Sequence, residues 1–173
     1  MCLRLVGSEM CIRDRRYPNQ ENRGVKTDGM IELVDLFPSI CELAGIDVPD
    51  YLQGTSFVPL TKDPKLNWKH ATFSQFHRRP KVSADGKRYM GYSINTKKYH
   101  LISWYDWDSE TGTRGEFKSN ELYDKEFDRF ETQNLADSKD MRDILSMLSN
   151  KLAEGWRKAI PEYTDQNFIY TEN

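Results

Sequence analysis

Histidines, cysteines and a run of acids are the first places to look for chemistry in this sequence. His70, His77 and His100 include no pair at i, i+4, and there is no His-Glu-x-x-His motif or glycine-rich phosphate loop. Two of the three fall in or beside predicted strands, where a hydrogen-bonded structural histidine is the default. No Gly-x-Ser-x-Gly elbow occurs. Cys2, Cys11 and Cys41 cannot form a disulfide framework and match no zinc spacing. Cys41 sits inside a helical apolar pattern and reads as a small buried hydrophobe. From Asp106 to Asp143 there are twelve acids and six bases. The run lacks the alternate Asp/Asn ligands and turn glycine of a calcium loop, so it reads as a solvated face.

A second cluster is basic. Between Phe76 and His100 lie seven bases (Arg78, Arg79, Lys81, Lys87, Arg88, Lys97, Lys98) and one acid, Asp85, with Tyr89, Tyr92 and Tyr99 interleaved. Three readings stay open here: solvated strand edges, where lysine discourages edge pairing; a site for an anionic small substrate; or a nucleic-acid face. Composition weakens the last. The net charge is −2 and the pI near 6.0, giving no global case for nucleic acid or an anionic membrane. No run of 18 apolar residues exists to span a bilayer. The 173 residues, with 21 aromatics among them, suit one domain or two small ones and argue against disorder.

These residues need elements to hold them. Met30–Val34 reads as a buried strand end. Asp35 is a predicted N-cap, Pro38 is tolerated in the first helical turn, Leu36, Ile40, Leu43 and Ala44 repeat at helical spacing, and Gly45 offers a left-handed stop. A loop with Gly54 follows, and Thr61–His70 reads as a connector. From Ala71 the period changes to two. A strand is predicted at Thr72–Phe76, a turn at Asp85-Gly86, and a hairpin from Tyr89–Asn95 and Tyr99–Trp104 across Thr96-Lys97-Lys98. Asp106–Ser119 reads as a hydrophilic loop before a short strand at Glu121–Tyr123. Met141, Ile144, Leu145, Leu148, Leu152, Trp156 and Ile160 then form one apolar helical stripe over about five turns, ended by Pro161.

Four stretches resemble the sulfatase family. Glu32-Leu-Val-Asp-Leu-Phe-Pro-Ser-Ile-Cys-Glu-Leu-Ala-Gly-Ile46 is similar to a segment near the end of that family's catalytic domain, and Leu52–Leu60 to the segment after it. Ser74–Arg78 and Tyr89–Thr96, followed by Tyr99 and Trp104, resemble iduronate-2-sulfatase-like members. Glu121-Leu-Tyr-Asp124 with Asp128, Glu131, Thr132, Asn134, Leu135 and Ala136 resembles the stretch before the last helix, with Arg129 where the family has proline.

The resemblance implies an α+β fold: an antiparallel sheet with a long C-terminal helix over residues 71–162. Residues 16–70 would supply the last helix of an α/β, alkaline-phosphatase-like catalytic domain. Residues 1–15 look like a non-native leader and 163–173 like a tail. It further implies a hydrolase of sulfate esters on sulfated sugars, using a formylglycine nucleophile and calcium. No motif for either transfers to this chain; Cys11-Ile-Arg-Asp-Arg15 has arginine where the maturation motif needs proline. The expectation is therefore a C-terminal fragment, inactive alone and missing its N-terminal catalytic domain, with no nucleic-acid or membrane partner. A free-standing glycan- or anion-binding module is the alternative. His77, Arg78 and Lys81 are the candidate substrate-binding residues, Arg78 first, because the family's matching loop faces the pocket and a guanidinium suits a sugar carboxylate. The family's compartments are periplasmic, extracellular or lysosomal.

Overall fold

The computed structural model describes residues 17–18, 20–78 and 86–161. The expected leader, the tail and the turn residue Asp85 lie outside them. The chain divides into two compact units, one comprising Val34–Leu66 with the segment ending at Asp28, the other Gly29–Leu33 with the chain from Asn67 onward.

In the first unit, α1 (Leu36–Ala44) stops at Gly45, whose φ of 67° is the left-handed end expected from the sequence. Asp35 makes no side-chain cap. It is fully buried, and its Oδ1 accepts the Thr55 N–H at 2.8 Å. One turn on, the Ser39 hydroxyl donates to the Asp35 carbonyl and accepts the Phe57 N–H at 2.9 Å. Gly54 is held so close that a Cβ there would lie 2.0 Å from the Val34 carbonyl oxygen. The following residues form α2 (Val58–Lys62), with Pro59 in its first turn. This corrects the connector expected from Thr61, whose polarity hid a one-turn helix with Val58 and Leu60 buried.

The face α1 buries is also a correction. Pro38, Ser39 and Cys41 are buried, whereas Val34, Phe37 and Ile40 are 57%, 53% and 58% exposed. The apolar spacing that predicts a core face at Ile40 marks the open side.

In the second unit, β1 (Thr72–His77), β2 (Tyr89–Asn95), β3 (Tyr99–Asp108) and β4 (Thr113–Asp124) form one antiparallel sheet in sequence order. Met30–Val34 is no strand. Glu32 instead sends its carboxylate to the Lys69 ammonium at 2.8 Å and the Phe73 N–H at 2.7 Å, fixing the start of β1. Ile94 stands opposite Leu101, and Leu101 opposite Leu122. Residues directly across a ladder share a face, so three fully buried side chains line up across the sheet. Leu148 of α3 (Arg142–Glu154), also fully buried, closes over them. Each such leucine contributes about 1.5–3 kcal/mol by leaving water.

The five-turn stripe does not run through. Gly155, at φ 82°, breaks the helix, and a 3-10 turn at Trp156–Ala159 brings Ala159 rather than Trp156 or Ile160 into the core. The expected loop at Asp106–Ser119 is likewise the far end of a long hairpin. Its turn is held by Asp108, which accepts the Glu110 and Thr111 N–H groups, and by Gly112 at φ 68°.

Candidate functional site

His77 ends β1 and Arg78 follows it, and continued alternation sends them to opposite faces. The His77 ring meets Trp107 edge-on at 5.7 Å, while the Arg78 guanidinium lies 6.0 Å from the Trp104 ring centroid. The Arg78 N–H also donates to the Tyr89 carbonyl at 3.0 Å. Lys81 lies outside the described residues, as does Arg79. The basic cluster is not one surface. Lys97 and Lys98 occupy the β2–β3 turn, where Lys98 pairs with Glu126 at 2.9 Å, whereas Lys87 sits at the other end of β2, 3.9 Å from Asp106.

On the Arg78 face, Trp104 is laid across Gly91 and flanked edge-on by Phe76 at 5.5 Å. Its Nε1–H donates to Glu121 Oε1 at 2.9 Å, and the Tyr123 hydroxyl donates to Oε2 at the same distance. Burial, reinforced by that carboxylate, pushes the Tyr123 phenol up to about 12. Each oxygen of Glu121 thus accepts from one aromatic donor, an arrangement that fixes the indole and the phenol relative to each other.

The other face is shaped by irregularity in β4. Register shifts between Trp104 and Tyr105 and between Tyr105 and Trp107 leave Ser103 opposite Asn120, Tyr105 opposite Phe117, and Trp107 opposite Arg114. Residues 114, 117 and 120 therefore share a face at a spacing of three, where a regular strand would give two. Tyr105 packs edge-on to Tyr92 at 5.8 Å and to Phe117 at 5.6 Å. The Arg114 guanidinium lies over Tyr105 at 4.6 Å and Tyr92 at 5.6 Å.

The Glu121–Ala136 motif is a set of backbone clasps. Asp128 Oδ2 accepts the Thr132 and Gln133 N–H groups at 2.6 and 2.8 Å, and these bonds hold its carboxyl below the usual carboxylate range. Asn134 Oδ1 takes the Leu122 and Ala136 N–H groups, tying the loop to β4. His100 Nδ1 is 2.9 Å from Glu131, a structural pairing as expected. Lys125, whose ammonium burial depresses, reaches Asn95 and the Thr96 carbonyl and so closes the β2–β3 turn.

The described residues do not fit a calcium cage: among them no three His, Cys, Asp or Glu side chains converge. Within the 106–143 run, Asp108 and Asp128 serve as turn and loop acceptors, and Asp106 faces Lys118 at 2.8 Å. Cys41 is free and buried, and belongs to no formylglycine motif.

Residues 10–158 match the family described as N-sulphoglucosamine sulphohydrolase, C-terminal. The chain belongs to that family. Within it, 123 residues are 26% identical to an N-acetylglucosamine-6-O-sulfatase of Bacteroides thetaiotaomicron, covering 69% of this chain and 20% of that protein. An arylsulfatase of Clostridium perfringens is 27% identical over 84% of the chain and 26% of its own length. An ulvan-active sulfatase of Formosa agariphila is 23% identical over 89% and 34% respectively. The chain thus spans between a fifth and about a third of the length of these sulfatases. A protein solved in complex with its substrate D-glucosamine-2-N,6-O-disulfate shares the fold, with a TM-score of 0.55 at 23% identity over 72% of this chain and 24% of that one. The four-stranded sheet with its C-terminal helix is the sulfatase C-terminal subdomain.

Sequence reasoning missed Tyr105, Trp107, Arg114 and Phe117 as a group. The signal was present as aromatics at 105 and 107 and residues spaced by three from 114, but the bulged strand erases the period of two, and Gly112 and Gly115 read as loop.

Proposed function

We propose that this chain is the C-terminal part of a larger sulfuric ester hydrolase acting on sulfated sugars. The open apolar face of α1 carries the reading. Phe37 and Ile40 on α1, and Val34 in the turn just before it, are each more than half exposed, and burying such side chains is worth about 1.5–3 kcal/mol apiece. Contiguous apolar surface of this kind marks a contact. Relatives three to five times the matched length supply a natural cover in the preceding catalytic domain. In this reading α1 is the last helix of that α/β domain. The formylglycine, the calcium and their ligands reside upstream, and the sheet unit stands beside the substrate. His77, Arg78 and Lys81 serve the sugar, with Arg78 answering a carboxylate. The iduronate-2-sulfatase-like branch rests on Ser74–Arg78 and on Tyr89–Thr96 with Tyr99 and Trp104, while the relatives named above include an N-acetylglucosamine-6-O-sulfatase. Export to a periplasmic, extracellular or lysosomal compartment follows from the same family reading. Among the described residues no helix is long and apolar enough to cross a membrane.

Hydrogen exchange tests this. In the 173-residue chain the amides of Leu36–Ala44 should exchange faster than those of β2 and β3, and should slow by at least tenfold in the protein extended upstream by its own gene. Equal protection in both forms would favour a free-standing module, the reading that the aromatic–arginine sheet face also suits.

A further inference from the structure

We infer that the bulged end of the sheet carries a binding site for an anionic saccharide unit, built on Tyr92, Tyr105, Trp107 and Phe117 with Arg114 as the charge reader. This rests on the sulfated-sugar reading for the ligand class but uses residues that reading does not.

Three observations carry it. The apolar surface of this half of the face is aromatic, set in edge-to-face order, and lacks the aliphatic side chains that would suit a protein core; Met90, the exception, is buried. Flat rings accept the C–H face of a pyranose while their rims stay wet. Next, Arg114 lies on two rings and makes no ion pair among the described residues. The ring contacts hold the guanidinium in one orientation, so little freedom is lost when its fork meets a sulfate or carboxylate. Finally, Asp106 and Asp108 alternate to the opposite face, Asp106 to Lys118 and Asp108 to the turn amides, and Glu116 pairs with Lys118 at 3.2 Å. Arg88, exposed, accepts the Trp107 N–H through its carbonyl at 2.9 Å, so a second basic residue stands beside this end of the sheet. Among the described residues the face is ring-lined and its guanidinium is paired with no carboxylate. A second copy of this chain would bring like charge to it.

The two register shifts are the device that makes the site. Without them Arg114 and Phe117 would fall on opposite faces; with them both stand over Trp107 and Tyr105.

The test is calorimetric titration of the 173-residue chain with a heparin tetrasaccharide, the same tetrasaccharide desulfated, and octaglutamate. Binding of one sulfated tetrasaccharide per chain is expected, with the desulfated form at least tenfold weaker and octaglutamate not measurable. Arg114→Gln and Phe117→Ala, both exposed, should each weaken binding by about tenfold or more, since hydrogen bonds to charged groups and ring contacts are worth that much. Lys97→Gln, at the opposite end of the sheet, should leave it within about twofold. No binding, an equal loss in Lys97→Gln, or octaglutamate binding that depends on Arg114 would overturn the proposal, the last assigning the face to an acidic protein. Failure here, with the extended protein still hydrolysing sulfate esters, removes this subsite and leaves the functional reading standing.

Discussion

Trp104 lies in the space that Gly91 leaves empty: a Cβ at position 91 would stand 2.8 Å from Cζ3 of the indole. The two are register partners on neighbouring strands, and the flattened indole presents its ring to Arg78 and its Nε1–H to Glu121. Gly91→Ala should therefore destabilise the sheet unit by about 1–3 kcal/mol, the usual cost of overpacking. Urea melts followed by tryptophan fluorescence would check this; an unchanged midpoint would mean the indole can move aside.

Asp35 should matter for packing rather than chemistry. Asp35→Ala leaves the buried Thr55 N–H without its acceptor, at a cost of about 1–3 kcal/mol. Asp35→Asn keeps an acceptor oxygen and should cost less. The Thr55 amide exchange rate reads the effect directly: a strong increase in the alanine variant is expected, and none would place the bond elsewhere.

The loop after β4 should be acid-sensitive through Asp128. Its carboxyl is held below the ordinary value of 3.8 by the Gln133 N–H first, with the Thr132 and Phe130 amides adding to it. A depressed carboxyl stabilises the fold above its unfolded pKa, and that contribution is lost as pH falls through the lower folded value. Stability of the 124–136 loop should be flat from neutrality to about pH 5 and fall below about pH 4. Asp128→Asn should flatten that fall. A side-chain titration midpoint for Asp128 at or above 3.8 would contradict the account.

Much of this architecture was legible. β2, the first half of β3, the start of β1 and the Gly45 stop follow from alternation and turn chemistry, because those strands are buried on a helix-covered face and keep a period of two. The hairpin tip was not legible. Its turn residues 109–112 are polar or glycine, and the bulges below them change the spacing from two to three, so no periodicity survives. The helix break at Gly155 was hidden because Trp156 and Ile160 continue the apolar spacing that Ala159 satisfies instead. The α1 face was misassigned for a different reason: spacing shows that a face is apolar, but not which neighbour covers it. His77 and Arg78 were readable as neighbours in sequence, though not as residues of opposite faces.

Arg78 should discriminate by substrate charge in the extended enzyme. Arg78→Ala is expected to lower kcat/KM for a carboxylate-bearing sulfated sugar about tenfold or more beyond its effect on a neutral one, the worth of a charge-assisted bond. Equal losses on both, with a lowered Tm, would assign Arg78 to the Trp104 stack alone.

The central claim, that this chain is the C-terminal part of a larger sulfatase, meets its most direct test in sulfate release. The 173-residue chain and the protein extended upstream by its own gene would each be incubated with 6-O-sulfated N-acetylglucosamine and with an aryl sulfate. The account predicts no turnover above buffer by the chain alone and chelator-sensitive turnover of at least one substrate by the extended protein. Turnover by the chain alone that survives purification, or an extended protein no more active than the chain, would contradict it.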